Sequence, residues 1–394
     1  MTNSLTADVL VIGSGVNGAA TAFFLAERGV GRILVLDRDY PGAGASSRGQ
    51  GVLRVYHRNE PEVVLAHTSL GVFADWAHVV GGTCGYEATG YLWLDHAAQA
   101  AQLRGDVAML RRLGSRSELI DEAELRRLQP MMTAADTVAI YEPECGSASA
   151  LLATESLLDG ARRRGAELRT RTPVVALTAQ AGRVTGAMTA AGPVSAGCVV
   201  LAAGAWTAPL ARTIGISLPI EPRRLSMGRF LLPDAAGRPM TFLDAMFDTA
   251  FRPDTGNSAL ISTRDAGYGK PTDPDHLPDL VDAATIENAV ARISRRIPAA
   301  AQAVATNVWA GVDGFTPDYK GIYGRLDDME GLYICAGSSE KGFKVAPAVG
   351  MGMAELIATG RSALIDDPAF SASRFRRAAS TAEAGKQFSV EELL

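Results

Sequence analysis

The stretch DVLVIGSGVNGAATAFFLAERGVGRILVLDRD, beginning at Asp8, constrains the fold more than any other part of the chain. Val9, Leu10, Val11 and Ile12 form a continuous apolar run, the pattern of a strand buried on both faces of a parallel sheet. Gly13, Gly15 and Gly18 follow in GxGxxG spacing around Val16 and Asn17, and a helical pattern then runs to Arg28 and stops at Gly29. The next run, RILVLD, closes on Asp37, roughly 20 residues on, where a dinucleotide fold carries its ribose-binding acid. Each piece has a physical task. Gly13 permits the tight turn, Gly15 admits a pyrophosphate close to the backbone, Gly18 lets the helix pack closely, and the helix N-terminus turns its partial positive charge toward phosphate. Strand, glycine turn, helix and acid in this order predict a dinucleotide-binding α/β unit. The fingerprint does not separate nicotinamide from flavin dinucleotides.

A chain of 394 residues is too long for one ordinary core, so two domains are expected, interleaved or in series. Hydrophobic residues make up 47% and charged residues 21%, which excludes disorder as the main state. The net charge of −5 carries no clustered basic field, so no nucleic-acid partner is expected. Arg162, Arg163 and Arg164 read as a helix end, and Arg223 and Arg224 as a surface pair flanking a strand. Cys84, Cys145, Cys198 and Cys335 lie far apart without histidines at ligand spacing, so no metal site is readable. Cys198 and Cys335 sit in apolar strand-like runs and are expected in the core. Neither a signal-like segment nor an apolar run of membrane-spanning length is present, so a cytoplasmic protein with no membrane partner is expected.

PGAGASSRGQGVLRVYH, residues 41 to 57, stands where a nicotinamide enzyme would begin another plain βα unit. Its small residues let backbone amides touch a ligand, and Arg48 and Arg54 add charge for a phosphate or carboxylate. With this loop the chain resembles the D-amino acid oxidase superfamily of FAD-dependent amine oxidoreductases, on the sarcosine oxidase and glycine oxidase branch. The loop is most similar to that of sarcosine oxidase beta subunits. Further segments extend the resemblance: the stretch from Gly165 through VVLAAGAWT, then LPIEPRR, GFTPDYKGIYG, and LYICAGSSEKGFKVAPAVGMGMAELI. These later segments have no role in a nicotinamide enzyme, which sets that alternative aside.

The resemblance implies a Rossmann-like FAD-binding domain assembled from residues 1–85, 145–220 and 307–370. An antiparallel-sheet (α+β) substrate domain is inserted as residues 86–144 and 221–306. Alternation in TGYLWLDH, MGRFLLP and ALISTRD agrees with strands in that insertion. The tail, 371–394, is expected to be a terminal helix or a frayed end. Cofactor contacts are implied for the glycine turn (Gly13, Gly15, Val16, Asn17, Gly18), for Asp37 and Arg38, and for Ala45, Ser46, Ser47, Arg48, Gly51 and Val52 of the small-residue loop. Val174 is expected near adenine, and Ala203, Gly204, Trp206, Gly337, Gly342, Phe343 and Lys344 against the rest of the cofactor.

The family's carboxylate clamp, an arginine from the loop after the second strand and a lysine from a GFK motif, falls on Arg54 and Lys344. Two cations gripping a carboxylate would fix the pose of the substrate Cα–H against flavin N5. Lys341 is expected at the surface. Arg252 is a further site candidate, with an interdomain ion pair as its alternative. Tyr56 and His57 are candidates for the site mouth, the histidine as a hydrogen-bonded neighbour or a proton carrier. Trp309 either flanks the flavin or packs a core.

Two departures from the family matter. The cysteine that carries covalent flavin in monomeric sarcosine oxidase, seven positions before the Asp of TPD, is here Gly311, so FAD is expected to be non-covalent. The lysine that activates O2 there falls near Ile261, and Lys270 lies too far along to replace it. The resemblance thus implies oxidation of the C–N bond of a small amino acid, N-alkyl amino acid or cyclic imino acid by hydride transfer to flavin N5. Electrons pass to O2 or, given the missing lysine, to another acceptor. The chain is a self-sufficient enzyme, a homo-oligomer, or the catalytic subunit of a hetero-oligomer.

Overall fold

A computed structural model describes residues 5–278 and 280–377. Strand Leu5–Ile12 pairs in parallel with Ile33–Leu36 on one side and Gly192–Leu201 on the other. Glu167–Arg169 and Leu332–Ala336 extend the sheet in parallel at either side, and Ile322–Arg325 closes one edge antiparallel. Val174–Gln180 and Arg183–Thr189 form a meander leading into Gly192–Leu201. The reason for the unbroken apolar run at the start is visible in the two faces. Val9 and Val11 enter one core with helices Val16–Glu27, Ala150–Arg163 and Gly342–Thr359, whereas Leu10 and Ile12 enter another with the meander and helix Thr207–Arg212.

A second sheet of eight strands runs in the order Val304–Phe315, Glu221–Leu231, Ser258–Ser262, Thr249–Pro253, Thr241–Asp244, Tyr91–His96, Thr137–Glu142, Glu118–Ile120. Its pairs are antiparallel except Thr241–Asp244 with Tyr91–His96. Alternation again divides the faces: Tyr91 and Trp93 pack with helix Ala100–Arg112, while Leu92 and Leu94 pack with helix Ala283–Arg296. Arg296 of that helix reaches Asp244 at 2.7 Å in a fully buried ion pair.

Two sequence expectations change here. Val304–Phe315 pairs with Glu221–Leu231 from Val304↔Leu231 to Phe315↔Glu221, so the chain leaves the second sheet after Phe315, and the expected boundary at 307 falls inside a strand. Arg224 is not at the surface. It is 2% exposed, and its guanidinium grips Asp265 through Nε and Nη2, because Gly267 and the turn after Ser258–Ser262 fold over it. Cys335 is buried and Cys198 half-buried in strands of the first sheet. Of the expected tail, a short helix, Arg374–Arg377, is present; residues 378–394 lie outside the described residues.

Candidate active site

The parallel strands end together at Ile12, Leu36, Leu201 and Ala336, and beyond these ends, facing the second sheet, lies a cavity of about 590 Å³. Open α/β sheets bind ligands at this position, outside the carboxyl ends of the strands. Gly13 takes φ +106°, and a Cβ there would stand 2.4 Å from the Ala202 carbonyl oxygen. A Cβ on Gly18 would meet the Gly13 carbonyl oxygen at 2.0 Å, so Gly18 serves the packing of turn on helix and does not reach the cavity wall. The Ser14 amide and hydroxyl both donate to Asp37 Oδ2, at 2.6 and 2.7 Å, while the Asp39 amide donates to Oδ1. The acid expected for ribose therefore also braces the glycine turn.

The small-residue loop curls into a short 3₁₀ turn, Ala45–Ser47, in which Ser46 Oγ accepts the Val16 amide at 3.0 Å. Ala45, Ser46, Arg48, Gly51 and Val52 line the cavity; Ser47 does not, and its amide donates to the Gly42 carbonyl. Arg48 donates to the Ala310 carbonyl at 2.8 Å and its own carbonyl accepts Trp309 Nε1, so this arginine and tryptophan stitch the loop to the second sheet. The stem of Arg48 lies over Gly311, with its Cβ 3.1 Å from where a Gly311 side chain would begin. At the far end, Val174, Gly204 and Trp206 line the wall, and Arg38 lies over the Trp206 ring at 4.0 Å. Arg38 and Trp206 both bond Asp275, at 2.6 and 2.9 Å, which ties a loop of the inserted region across that end.

The opposite end is charged. Arg54 is 3% exposed, lines the cavity and donates to the Tyr56 carbonyl. Lys344, 8% exposed, lines it from the first turn of helix Gly342–Thr359 and donates to the Glu340 carbonyl at 3.3 Å. Burial first, then Arg54 and Lys341, hold the Lys344 pKa well below its ordinary value of 10.5. Lys341, expected at the surface, is 3% exposed and paired with Glu62 at 2.7 Å. It precedes the helix start, where the chain dives under helix Glu60–Ala74, and a buried ammonium there requires that carboxylate.

Of the expected substrate-site residues, three do not line the cavity. The Tyr56 hydroxyl donates to Asp106 at 2.7 Å, away from the cavity, in a fully buried position. His57 is fully buried, its Nδ1–H donates to the Val55 carbonyl at 3.0 Å, and burial together with Arg54, Lys341 and Lys344 pushes its pKa well down. It is thus held neutral, a hydrogen-bonded neighbour set off the cavity wall. Arg252 donates to Asp254 and to the Gln50 carbonyl, both at 2.8 Å, which makes it an interdomain tie. The alternation of strand Ser258–Ser262 turns Ile261 into the core and Ser262 toward the cavity, and Lys270 lines a separate recess of about 280 Å³.

Sequence reasoning missed Glu340, Asp313, Arg264 and Tyr268, all on the cavity wall. Ser339 and Glu340 are consecutive non-glycine residues with φ of +49° and +66°. Left-handed backbone costs a side-chain-bearing residue ~1–2 kcal/mol, and such conformations cluster at functional sites. Bonds on both sides hold it here: the Glu340 amide donates to Asp313 Oδ2 at 2.8 Å, the Ser339 amide to the Gly314 carbonyl, and the Thr316 amide to Ser339 Oγ. The available signal was a carboxylate two residues before a GFK motif otherwise rich in glycine and cations.

A glycine cradle, a cavity that runs from Asp37 and Trp206 to Arg54 and Lys344, and a buried, unpartnered Asn17 Oδ1 on its wall fit a dinucleotide that needs backbone amides and polar side chains along its length. Fold and site define a protein of two sheets, one parallel at its centre and one mainly antiparallel, with a dinucleotide-sized cavity at the ends of the parallel strands. The chain belongs to the FAD dependent oxidoreductase family, DAO, whose profile matches residues 8–356. It is an enzyme that uses FAD. Glycine oxidase of Pseudomonas putida is 28% identical over 380 residues, covering 92% of this chain and 97% of that protein. The crystal structure of glycine oxidase from Geobacillus kaustophilus superposes with a TM-score of 0.80 at 26% identity, over 94% of this chain and 99% of that one. L-proline dehydrogenase from P. horikoshii shares the fold with a TM-score of 0.87 at 24% identity, over 95% and 99% of the two chains. Among the described residues, no helix is long and apolar enough to cross a membrane.

Proposed function

We propose that this enzyme oxidises the C–N bond of a small amino acid, N-alkyl amino acid or cyclic imino acid to an imine. The observation that carries the reading is the pair Arg54 and Lys344, two buried cations on one cavity wall at the end away from Asp37 and Trp206. A carboxylate held by both would have one orientation, because guanidinium and ammonium approach from different elements. FAD supplies the chemistry of accepting the two electrons and the hydrogen from the substrate carbon. The residues that would hold it are those of the glycine turn, Asp37, Ser46, Arg48 and the first turn of helix Gly342–Thr359. Phe343, Leu243 and Ala250 add apolar surface to the same cavity wall, which would strengthen the charge of the clamp on a bound substrate.

The test is anaerobic absorption of the purified holoprotein while L- and D-amino acids, N-methyl amino acids and cyclic imino acids are added in turn. Bleaching of the oxidised-flavin band by one class supports the reading; a full set without bleaching sinks it. The flavin is non-covalent in this proposal, since Gly311 offers no nucleophile and Arg48 occupies the space above it. Acid precipitation should release it and leave a colourless pellet.

A second reading concerns the acceptor. Among the described residues, the lysine on the cavity wall is Lys344, which the clamp uses, and the cation reaching it from the inserted sheet, Arg264, is paired with Asp248. This favours an acceptor other than O2. Stopped-flow mixing of the reduced enzyme with air-saturated buffer decides it, and reoxidation as fast as turnover would count for O2.

A further inference from the structure

Glu340 has no part in the carboxylate clamp, yet it lines the same cavity four residues before Lys344, just ahead of the helix start. Its side chain accepts the Tyr268 hydroxyl at 3.3 Å, and Arg264 lies over the Tyr268 ring at 4.3 Å, so a half-buried aromatic ring held by a cation fixes the carboxylate on the cavity wall. The backbone beneath it is held in the left-handed region by the Asp313, Gly314 and Thr316 bonds described above. A glycine would adopt that conformation without strain, so what the position gains from glutamate is the carboxylate.

Resting on the proposed amino-acid oxidation, we propose that Glu340 receives the ammonium group of the substrate and removes one of its protons. With Arg54 and Lys344 it makes a zwitterion site, selective for substrates that carry a carboxylate and a protonated amine on one carbon. In the step itself an N–H bond breaks and its electron pair stays on nitrogen. The proton bonds to a Glu340 carboxylate oxygen, giving a neutral carboxyl and a neutral amine whose lone pair can form the C=N bond. No other reactant is needed.

The electrostatics agree with this role. Burial raises the Glu340 pKa to about 7, with Arg264 and Lys344 opposing and Asp313 adding to the rise. The group is a carboxylate above that pH and able to accept a proton, and it is already protonated below it. The groups facing it are Arg264 and Tyr268 from the inserted region, Asp313 from the strand Val304–Phe315, and Lys344 from the helix that follows it. Tyr268 is held protonated by burial, and Asp313 has both oxygens on backbone amides.

The test uses the holoenzyme and the substrate class found by flavin bleaching. In the wild type, the second-order rate of anaerobic bleaching should fall about tenfold per pH unit below a break near 7. Glu340→Gln should lose that break, show instead the ionisation of the substrate amine itself, and react 10²–10⁴-fold more slowly at pH 7.5. Glu340→Asp should recover part of the rate with a displaced break. Glu340→Gly, which relieves the backbone, should melt at or above the wild-type temperature while being as slow as the Gln variant; this separates a lost carboxylate from a lost fold. A Gln variant with the wild-type rate and break overturns the assignment of Glu340 and leaves the proposed oxidation standing. A wild type that no amino acid bleaches overturns the oxidation and, with it, this inference.

Discussion

Replacing Lys344 with methionine keeps the packed stem and removes the charge. The ammonium is buried beside Arg54 and Lys341, which together with desolvation depress its pKa well below 10.5. In the free protein it therefore loses its proton as pH rises through that depressed value, where an ordinary lysine would keep it. A carboxylate arriving within ~4 Å interacts with the ammonium by about 4 kcal/mol at an effective dielectric near 20, equivalent to about 3 pKa units. Binding should then draw a proton back onto Lys344 throughout the window between the free and bound values. Tetrahydrofuran-2-carboxylate, which has no amine to oxidise, is a suitable probe. Calorimetric titration in buffers of different ionisation enthalpy should show proton uptake that climbs toward one per ligand within that window. Lys344→Met should weaken binding by about 10- to 150-fold, the 1.5–3 kcal/mol of a charged hydrogen bond, and abolish its share of the uptake. Uptake that survives Lys344→Met and is lost in Glu340→Gln belongs to Glu340. Unchanged affinity with unchanged uptake would refute the argument, since the ligand carboxylate would then not touch Lys344.

Glu62→Gln breaks the buried pair with Lys341 and should cost about 3–5 kcal/mol, read as a lower melting temperature. The Lys341 pKa is lowered by burial, so between that value and 10.5 the unfolded chain binds more protons; the melting temperature of this variant should rise with pH across that window, and a flat profile would count against the pair. Adding Lys341→Met to it should restore most of the loss, because both charges are then gone. Gly13→Ala places a methyl 2.4 Å from the Ala202 oxygen at φ +106°, and flavin titration of the apoprotein should show affinity reduced by at least 30-fold, about 2 kcal/mol of overpacking. Tyr56→Phe removes the bond to buried Asp106 and should lower stability by about 1–3 kcal/mol while kcat and KM stay within twofold of wild type; a collapse of kcat would return Tyr56 to the catalytic site.

Much of the nucleotide half was legible because its signals are local. A buried parallel strand must be apolar at every position, a turn against a neighbouring carbonyl must be glycine, and a strand-end acid declares itself by spacing, so Val9 to Asp37 could be read as strand, turn, helix and strand without knowing their neighbours. Arg54 and Lys344 needed the resemblance, since nothing within either segment says that the two meet. Misreadings fell where burial depends on distant chain. Lys341 and Arg224 look solvated in sequence, and each is buried because a carboxylate far along the chain, Glu62 for one and Asp265 for the other, meets it in the interior.

The sequence by itself determined the class of cofactor site and the elements that build it, because hydrophobic periodicity and glycine placement act over a few residues. Only the tertiary structure decided which charges share the cavity: Ile261 or Ser262 facing in, Arg252 used as a tie, and Glu340 held on left-handed backbone by Asp313. Those outcomes depend on sheet register and on contacts between residues far apart in sequence. A one-residue shift along a strand reverses which side chains face inward, and no local pattern in one chain records the register.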